Sequence, residues 1–169
     1  MRHHSSIDRS ARRQRIYDFL KSQHVAVLST ITPDNNPHGV VVYYAVDEDL
    51  VMHIMTKTGT RKYDNMVHND HVMLTVFEPE TQTTAQFTGL AAERGGSNNI
   101  NKVAGSIFGS AVQTSSSGLP PIVKLQAGAF TTFRITPIQI RMAVYARPDP
   151  GGYDTLFETL DSYELNREN

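Results

Sequence analysis

A mostly β fold, a barrel or sandwich of short strands with a few short helices, is what this chain of 169 residues predicts. Three observations carry that reading. Segments rich in β-branched and aromatic residues recur along the chain. Polar turns built from Pro, Gly, Asn and Asp separate them. Only a few stretches show helical spacing, and they are short.

Taken in order, Asp8 to Lys21 predicts a helix, with Asp8 as its cap and Ile16, Phe19 and Leu20 as its apolar stripe. His24 to Ile31, Gly39 to Val46 and Leu50 to Thr56 follow as strands. The turns Thr32-Pro33-Asp34-Asn35-Asn36-Pro37 and Asp47-Glu48-Asp49 join them into an antiparallel meander. Arg61 to Asn69 predicts a short helix after Gly59-Thr60. His71 to Phe77 and Thr83 to Glu93 are two more strands. Residues 94–121 break the pattern as a loop insertion, with a short helix around Asn99 to Phe108. Ala127 to Ile135 and Ile138 to Ala146 predict two last strands, split by Thr136-Pro137, and Tyr153, Leu156 and Phe157 suggest a short helix in the tail. The count is about seven strands. The division expected is a flexible polar N-terminal segment, 1–15, and a single domain, 16–169.

Composition narrows the function. Hydrophobic residues are 39% and charged residues 20%, as in globular domains, and the net charge of −1 gives no electrostatic case for nucleic acid or an acidic membrane surface. With no cysteine, thiolate nucleophiles, thiolate zinc sites and iron–sulfur clusters are excluded, and a reducing, cytoplasmic compartment is the natural expectation. No apolar run approaches the roughly 20 residues that span a bilayer, and Met1 to Arg15 lacks the apolar core of a secretory signal. His68 and His71 stand three apart without a placed carboxylate, so no metal site is expected. No nucleophile elbow, phosphate loop or dinucleotide-fold glycine fingerprint is present.

The segment Met55-Thr56-Lys57-Thr58-Gly59-Thr60-Arg61-Lys62 carries the chemistry. A strand ends, a glycine turn follows, and a helix starts with Thr60 as candidate N-cap. Arg61 and Lys62 then stand in the first turn, where the positive end of the helix dipole makes each cation unfavourable by about 0.3–1 kcal/mol. An anion in front of the turn reverses that sign. Backbone N–H groups, both cations and the hydroxyls of Thr56, Thr58 and Thr60 would converge on it, which suits a phosphate. The same spacing also suits a solvated basic turn.

The run Thr56, Gly59, Thr60, Arg61, Lys62 resembles the phosphate-binding signature of the pyridoxamine 5′-phosphate oxidase-like, FMN-binding split β-barrel superfamily. Its surroundings are similar in order and spacing over roughly 12–93: Leu28-Ser29-Thr30 after the leading helix, Asn36-Pro37-His38-Gly39, the apolar Val40 to Tyr44, Asn69-Asp70-His71-Val72 and Gly89-Leu90-Ala91. The resemblance implies a homodimeric split barrel with FMN in each seam. Arg61 and Lys62 would grip its phosphate, Met55 and Thr56 would lie beside the ring and ribityl chain, and Val40, Val41, Val42 and Tyr43 would run along the isoalloxazine. It also implies a glutamine from a later strand, for which Gln86 is the nearest candidate; on the residues alone Gln86 is equally an exposed strand residue.

Members that oxidise pyridoxine phosphate carry cations on the apolar strand, a tyrosine–arginine–serine set in a later helix, and a C-terminal tryptophan. Here Val40 to Tyr44 holds no cation, Val103 to Ser110 lacks the tyrosine and arginine, and the chain has no tryptophan. The expectation is therefore an FMN-dependent oxidoreductase acting on another small molecule, with NAD(P)H as a candidate electron donor and no catalytic acid or base assigned. A non-catalytic flavin carrier or sensor, and haem or a deazaflavin (F420) on the same fold, are the alternatives. His38 and His53 fall near the cofactor strands and read as packing or surface residues.

Overall fold

The computed structural model describes residues 3–114, 124, 128–146 and 156–166. Helix α1 (His3–Ser22) leads into strands β1 (Val25–Ile31), β2 (Pro37–Val46) and β3 (Met52–Lys57). Helix α2 (Arg61–His68) is followed by β4 (His71–Glu78), β5 (Thr83–Arg94), α3 (Ser97–Thr114), β6 (Phe130–Val144), β7 (Glu158–Leu160) and the short α4 (Ser162–Leu165). Every strand pairing is antiparallel, in the order β3-β2-β1-β4-β5-β6-β7, and β3 also pairs with β6. That last pairing closes β1 to β6 into a six-stranded barrel. The long β6 serves three neighbours: its first part pairs with β3, its later residues Ile140 to Met142 with β7, and nearly its whole length with β5.

Alternation fills the barrel. Leu28, Val42, Tyr44, Met52, Ile54, Leu74, Phe87 and Ile135 point inward and are buried. Ile16 and Leu20 of α1 join this core where β1 begins and β2 ends, and the Tyr44 hydroxyl donates to the Leu20 carbonyl at 2.7 Å. Met66 and Asn65 of α2 are buried at the opposite end, where β1, β3 and β5 finish; the Asn65 amide donates to the Thr30 hydroxyl at 2.9 Å. Arg12 and Arg15 of α1 tie down the tail, Arg12 donating to the Thr159 carbonyl at 2.6 Å and Arg15 pairing with Glu158 at 3.0 Å.

Four expectations change. The first helix begins at His3, so most of the segment expected as a flexible extension is helical. The two strands expected around Thr136-Pro137 are one, β6. Proline's missing N–H is accommodated at a bulge: Thr88 faces Gln139 and Gly89 faces Pro137, leaving Ile138 as the extra residue. The insertion carries a longer helix than expected, through Thr114; residues 115–121 lie outside the described residues. Of the tail helix, Tyr153 lies outside the described residues, and the chain after Phe157 forms β7 and α4 instead.

Gly89 is what lets the bulge close. A Cβ there would sit 2.7 Å from the Thr136 carbonyl oxygen and 2.9 Å from both an Ile135 methyl and the Phe87 ring. Gly89→Ala is therefore expected to lower stability by about 1–3 kcal/mol, as overpacking does. Urea unfolding reads this as a lower midpoint at unchanged slope.

Candidate functional site

The barrel does not close completely. β2 pairs with β1 through Pro37 to Tyr43, but with β3 only through Tyr44 to Val46. The β2–β3 ladder ends at Tyr44 opposite Ile54, although both strands continue. Residues 40–43 on one side and 55–57 on the other diverge into an open seam. An unpaired strand edge presents backbone N–H and C=O groups that pair with whatever lies against it.

The expected site residues separate along this seam by strand alternation. Val42 is buried in the core, and Val40 packs against it half-buried, so these two side chains face the barrel interior. Val41 and Tyr43 face outward. Val41 is 61% exposed, while Tyr43 packs with Ala45 against a second small cluster of Met55, Val103 and Ile107. Helix α3, the part of the insertion that sequence reasoning left without a role, thus roofs the outer face of the β2–β3 hairpin. Its signal was present in Ile100, Val103 and Ile107, spaced three and four apart.

At the end of the seam the chain turns from β3 into α2 through Gly59, whose φ of 76° is the left-handed conformation that glycine adopts without strain. Thr60 holds the N-cap position in extended conformation, but its side chain makes no cap bond. Instead its hydroxyl donates to the Lys57 carbonyl at 2.7 Å and lies 3.1 Å from the Thr56 hydroxyl. With the Thr60 proton committed, Thr56 donates to Thr60, so both hydroxyls shape the turn. The segment before β6 braces it: Thr58 N–H donates to the Ala129 carbonyl at 3.0 Å, and Gly128 N–H to the Thr58 carbonyl at 3.1 Å. A Cβ on Gly128 would collide with the Thr58 hydroxyl and sit 2.8 Å from its carbonyl oxygen, so glycine allows this approach.

Arg61 and Lys62 occupy the first turn as expected. Neither has a hydrogen-bond or ion-pair partner among the described residues. Arg61 is exposed. Lys62 is half-buried, and this desolvation pulls its pKa below the ordinary lysine value. An unpaired, partly desolvated cation beside a second cation at a positive helix end is an arrangement an anion completes.

Gln86 falls elsewhere. It sits on β5, separated from β2 by β1 and β4, in the outward cross-strand row Val41, Val27, Thr75, Gln86. It does not meet the Arg61–Lys62 turn within one protomer. Its row belongs to a surface that exposes Val25, Val27, Val41, Met73 and Phe77, the last 59% exposed. Among the described residues no three or more His, Cys, Asp or Glu converge to hold a metal, and no helix is long and apolar enough to cross a membrane.

Residues 13–142 match the family model described as pyridoxamine 5′-phosphate oxidase. No curated protein sequence matches the chain. Among solved structures, a heme binding protein from Mycobacterium smegmatis superposes with a TM-score of 0.64 at 11% identity, covering 91% of this chain and 59% of that one. A FAD-binding protein from Mesorhizobium loti gives 0.57 at 16% identity, covering 76% and 90%. An F420 reductase gives 0.55 at 18% identity, covering 72% and 91%. At these identities the likeness establishes the shared fold.

The Lys62 environment yields a stability test. Its folded pKa is lowered, so the unfolded chain holds that proton more tightly, and the charged lysine destabilises the fold at neutral pH. The penalty fades as pH rises from the depressed folded value to the ordinary one. Lys62→Met should leave the protein as stable or more stable at pH near 7, with the advantage over wild type shrinking towards pH about 10. Urea midpoints across that range measure it; a variant less stable at neutral pH would show that the ammonium is already compensated.

Proposed function

The chain belongs to the pyridoxamine 5′-phosphate oxidase-like family, and we propose that it is an FMN-dependent oxidoreductase acting on a small molecule. One observation carries the reading: an open strand seam that ends at a turn whose two cations, Arg61 and Lys62, have no anionic partner among the described residues. The residues fit the group. The turn supplies positive charge and helix N–H groups for a phosphate. The free edge at residues 40–43 supplies backbone hydrogen-bonding groups for a heteroaromatic rim, and Val41, Tyr43 and Met55 supply apolar surface beside it.

The flavin, when bound, supplies the two-electron redox chemistry. The chain's own part is to hold the phosphate through Arg61 and Lys62, to orient the ring along β2, and to limit water through the α3 roof. Of the four strand residues expected along the ring, Val40 and Val42 turn their side chains into the barrel and have only their backbone to offer. The names of the structural neighbours include haem, FAD and F420; the phosphate-ready turn favours a phosphorylated flavin over haem.

The functional unit we propose is a homodimer. Together the exposed Val25, Val27, Val41, Met73 and Phe77 form an apolar patch of the kind that marks an interface, and it runs up to the seam. A two-fold related copy would cover it and bring Gln86 of the partner subunit to the flavin. A cytoplasmic, cysteine-free protein drawing electrons from NADH or NADPH completes the proposal.

The absorption spectrum of the reconstituted protein is the primary test: a flavin band supports the reading, and a Soret band transfers the site to haem. Arg61→Ala or Lys62→Ala should each weaken FMN about tenfold to a hundredfold and leave riboflavin, which lacks the phosphate, nearly unchanged. Equal losses for both ligands would locate the phosphate elsewhere.

For the assembly, light scattering should report a dimer, and Val41→Glu should produce a monomer with impaired flavin binding. A wild-type monomer that binds flavin fully would refute the interface. Anaerobic NADH or NADPH should bleach the bound flavin within seconds; reduction by dithionite alone would point to a different donor or to a carrier.

A further inference from the structure

Beyond the seam, the hairpin end of β2 and β3 forms one side of a second cavity, covered by α3. Its volume is about 160 Å³, close to that of a cavity that accepts a benzene-sized molecule. Ala45, Val46 and Val103 give it an apolar wall, and Asp47, His53 and Lys102 give it a polar side.

The polar side is built, not incidental. Both oxygens of the Asp47 carboxylate are engaged. One oxygen accepts the backbone N–H groups of Asp49 and Val51, each at 3.0 Å, and the other accepts from His53 Nε2, also at 3.0 Å. An ionised carboxylate only accepts, so Nε2 carries a proton and the ring is held in one orientation; in the neutral ring Nδ1 is then the acceptor. Lys102, exposed on α3, has no carboxylate partner for its ammonium among the described residues. A cation, an apolar wall and an oriented acceptor therefore surround a space of one ring. The Asp47 charge beside His53 repels an anion at that end, which directs a carboxylate to Lys102 and a hydrogen-bond donor to His53.

We propose that this cavity binds a small planar monoacid that carries a ring-borne hydroxyl or amino group. The carboxylate pairs with Lys102, the ring lies on Ala45, Val46 and Val103, and the hydroxyl or amine donates to His53 Nδ1. None of these residues belongs to the Arg61–Lys62 turn, and the proposal stands whether or not the seam holds flavin.

The test titrates the whole protein, as purified, with 4-hydroxybenzoate and with its two truncations, benzoate and phenol, by calorimetry or saturation-transfer NMR. The full compound should bind with a Kd of about 1 mM or tighter, and each truncation about tenfold more weakly. Lys102→Ala should abolish the preference over phenol while keeping that over benzoate. His53→Phe should do the reverse. Lys102→Gln and His53→Gln repeat the comparison if either first variant loses its fold. A merely structural role for these residues would weaken all three compounds alike and would overturn the assignment. So would equal binding of all three by the wild type, or no binding at about 10 mM.

Discussion

The pairing of β3 with β6 is the constraint on which the rest of the molecule depends. Met52 to Lys57 lie against Phe130 to Ile135 in unbroken register, joining segments more than seventy residues apart in the chain. This contact turns an open sheet into a barrel and so removes two exposed strand edges. It also brings Gly128 and Ala129 against Thr58, which holds the turn before α2 in shape. The shape of the basic turn is therefore a product of barrel closure as much as of its own sequence.

Closure at β3–β6 has a counterpart in the opening at β2–β3. β3 is committed to β6 along its whole length, while β2 is committed to β1 along its first seven residues. The two strands can stay together only near their shared turn, so the ladder ends after three pairs. The seam is thus a geometric remainder of satisfying both long pairings. Among the described residues its edge and the two cations at its end have no partner, and these are costs that a bound anion would offset. Such local departures from self-consistency are where function is expected.

The α3 roof adds a second layer. By burying Met55 and covering Tyr43 and Ala45, it keeps the outer side of the hairpin apolar and creates the cavity beside His53. Opposite α3 in the strand order, the outward faces of β1, β2 and β4 expose Val25, Val27, Val41, Met73 and Phe77 without cover. The molecule therefore has two unlike faces next to one seam, one closed by its own helix and one with exposed apolar side chains.

Much of this was written in local residue patterns. Alternation and turn residues marked β1 to β6, the last of them read as two strands, and the Thr56 to Lys62 run marked the basic turn, because these features depend only on neighbouring residues. The bulge at Pro137 was not legible, since it is tolerated only because Gly89, nearly fifty residues earlier, lacks a Cβ. Nor was the division of Val40 to Tyr43 between core and seam, which follows from where the β3 ladder stops. The Thr60 hydroxyl turned from cap to turn brace because a carbonyl at Lys57 came within reach. The sequence by itself determined β1 to β5, the region of β6, the basic turn and the family. Tertiary structure alone decided the seam and the α3 roof, because each arises from how distant segments share the same strand edges and faces.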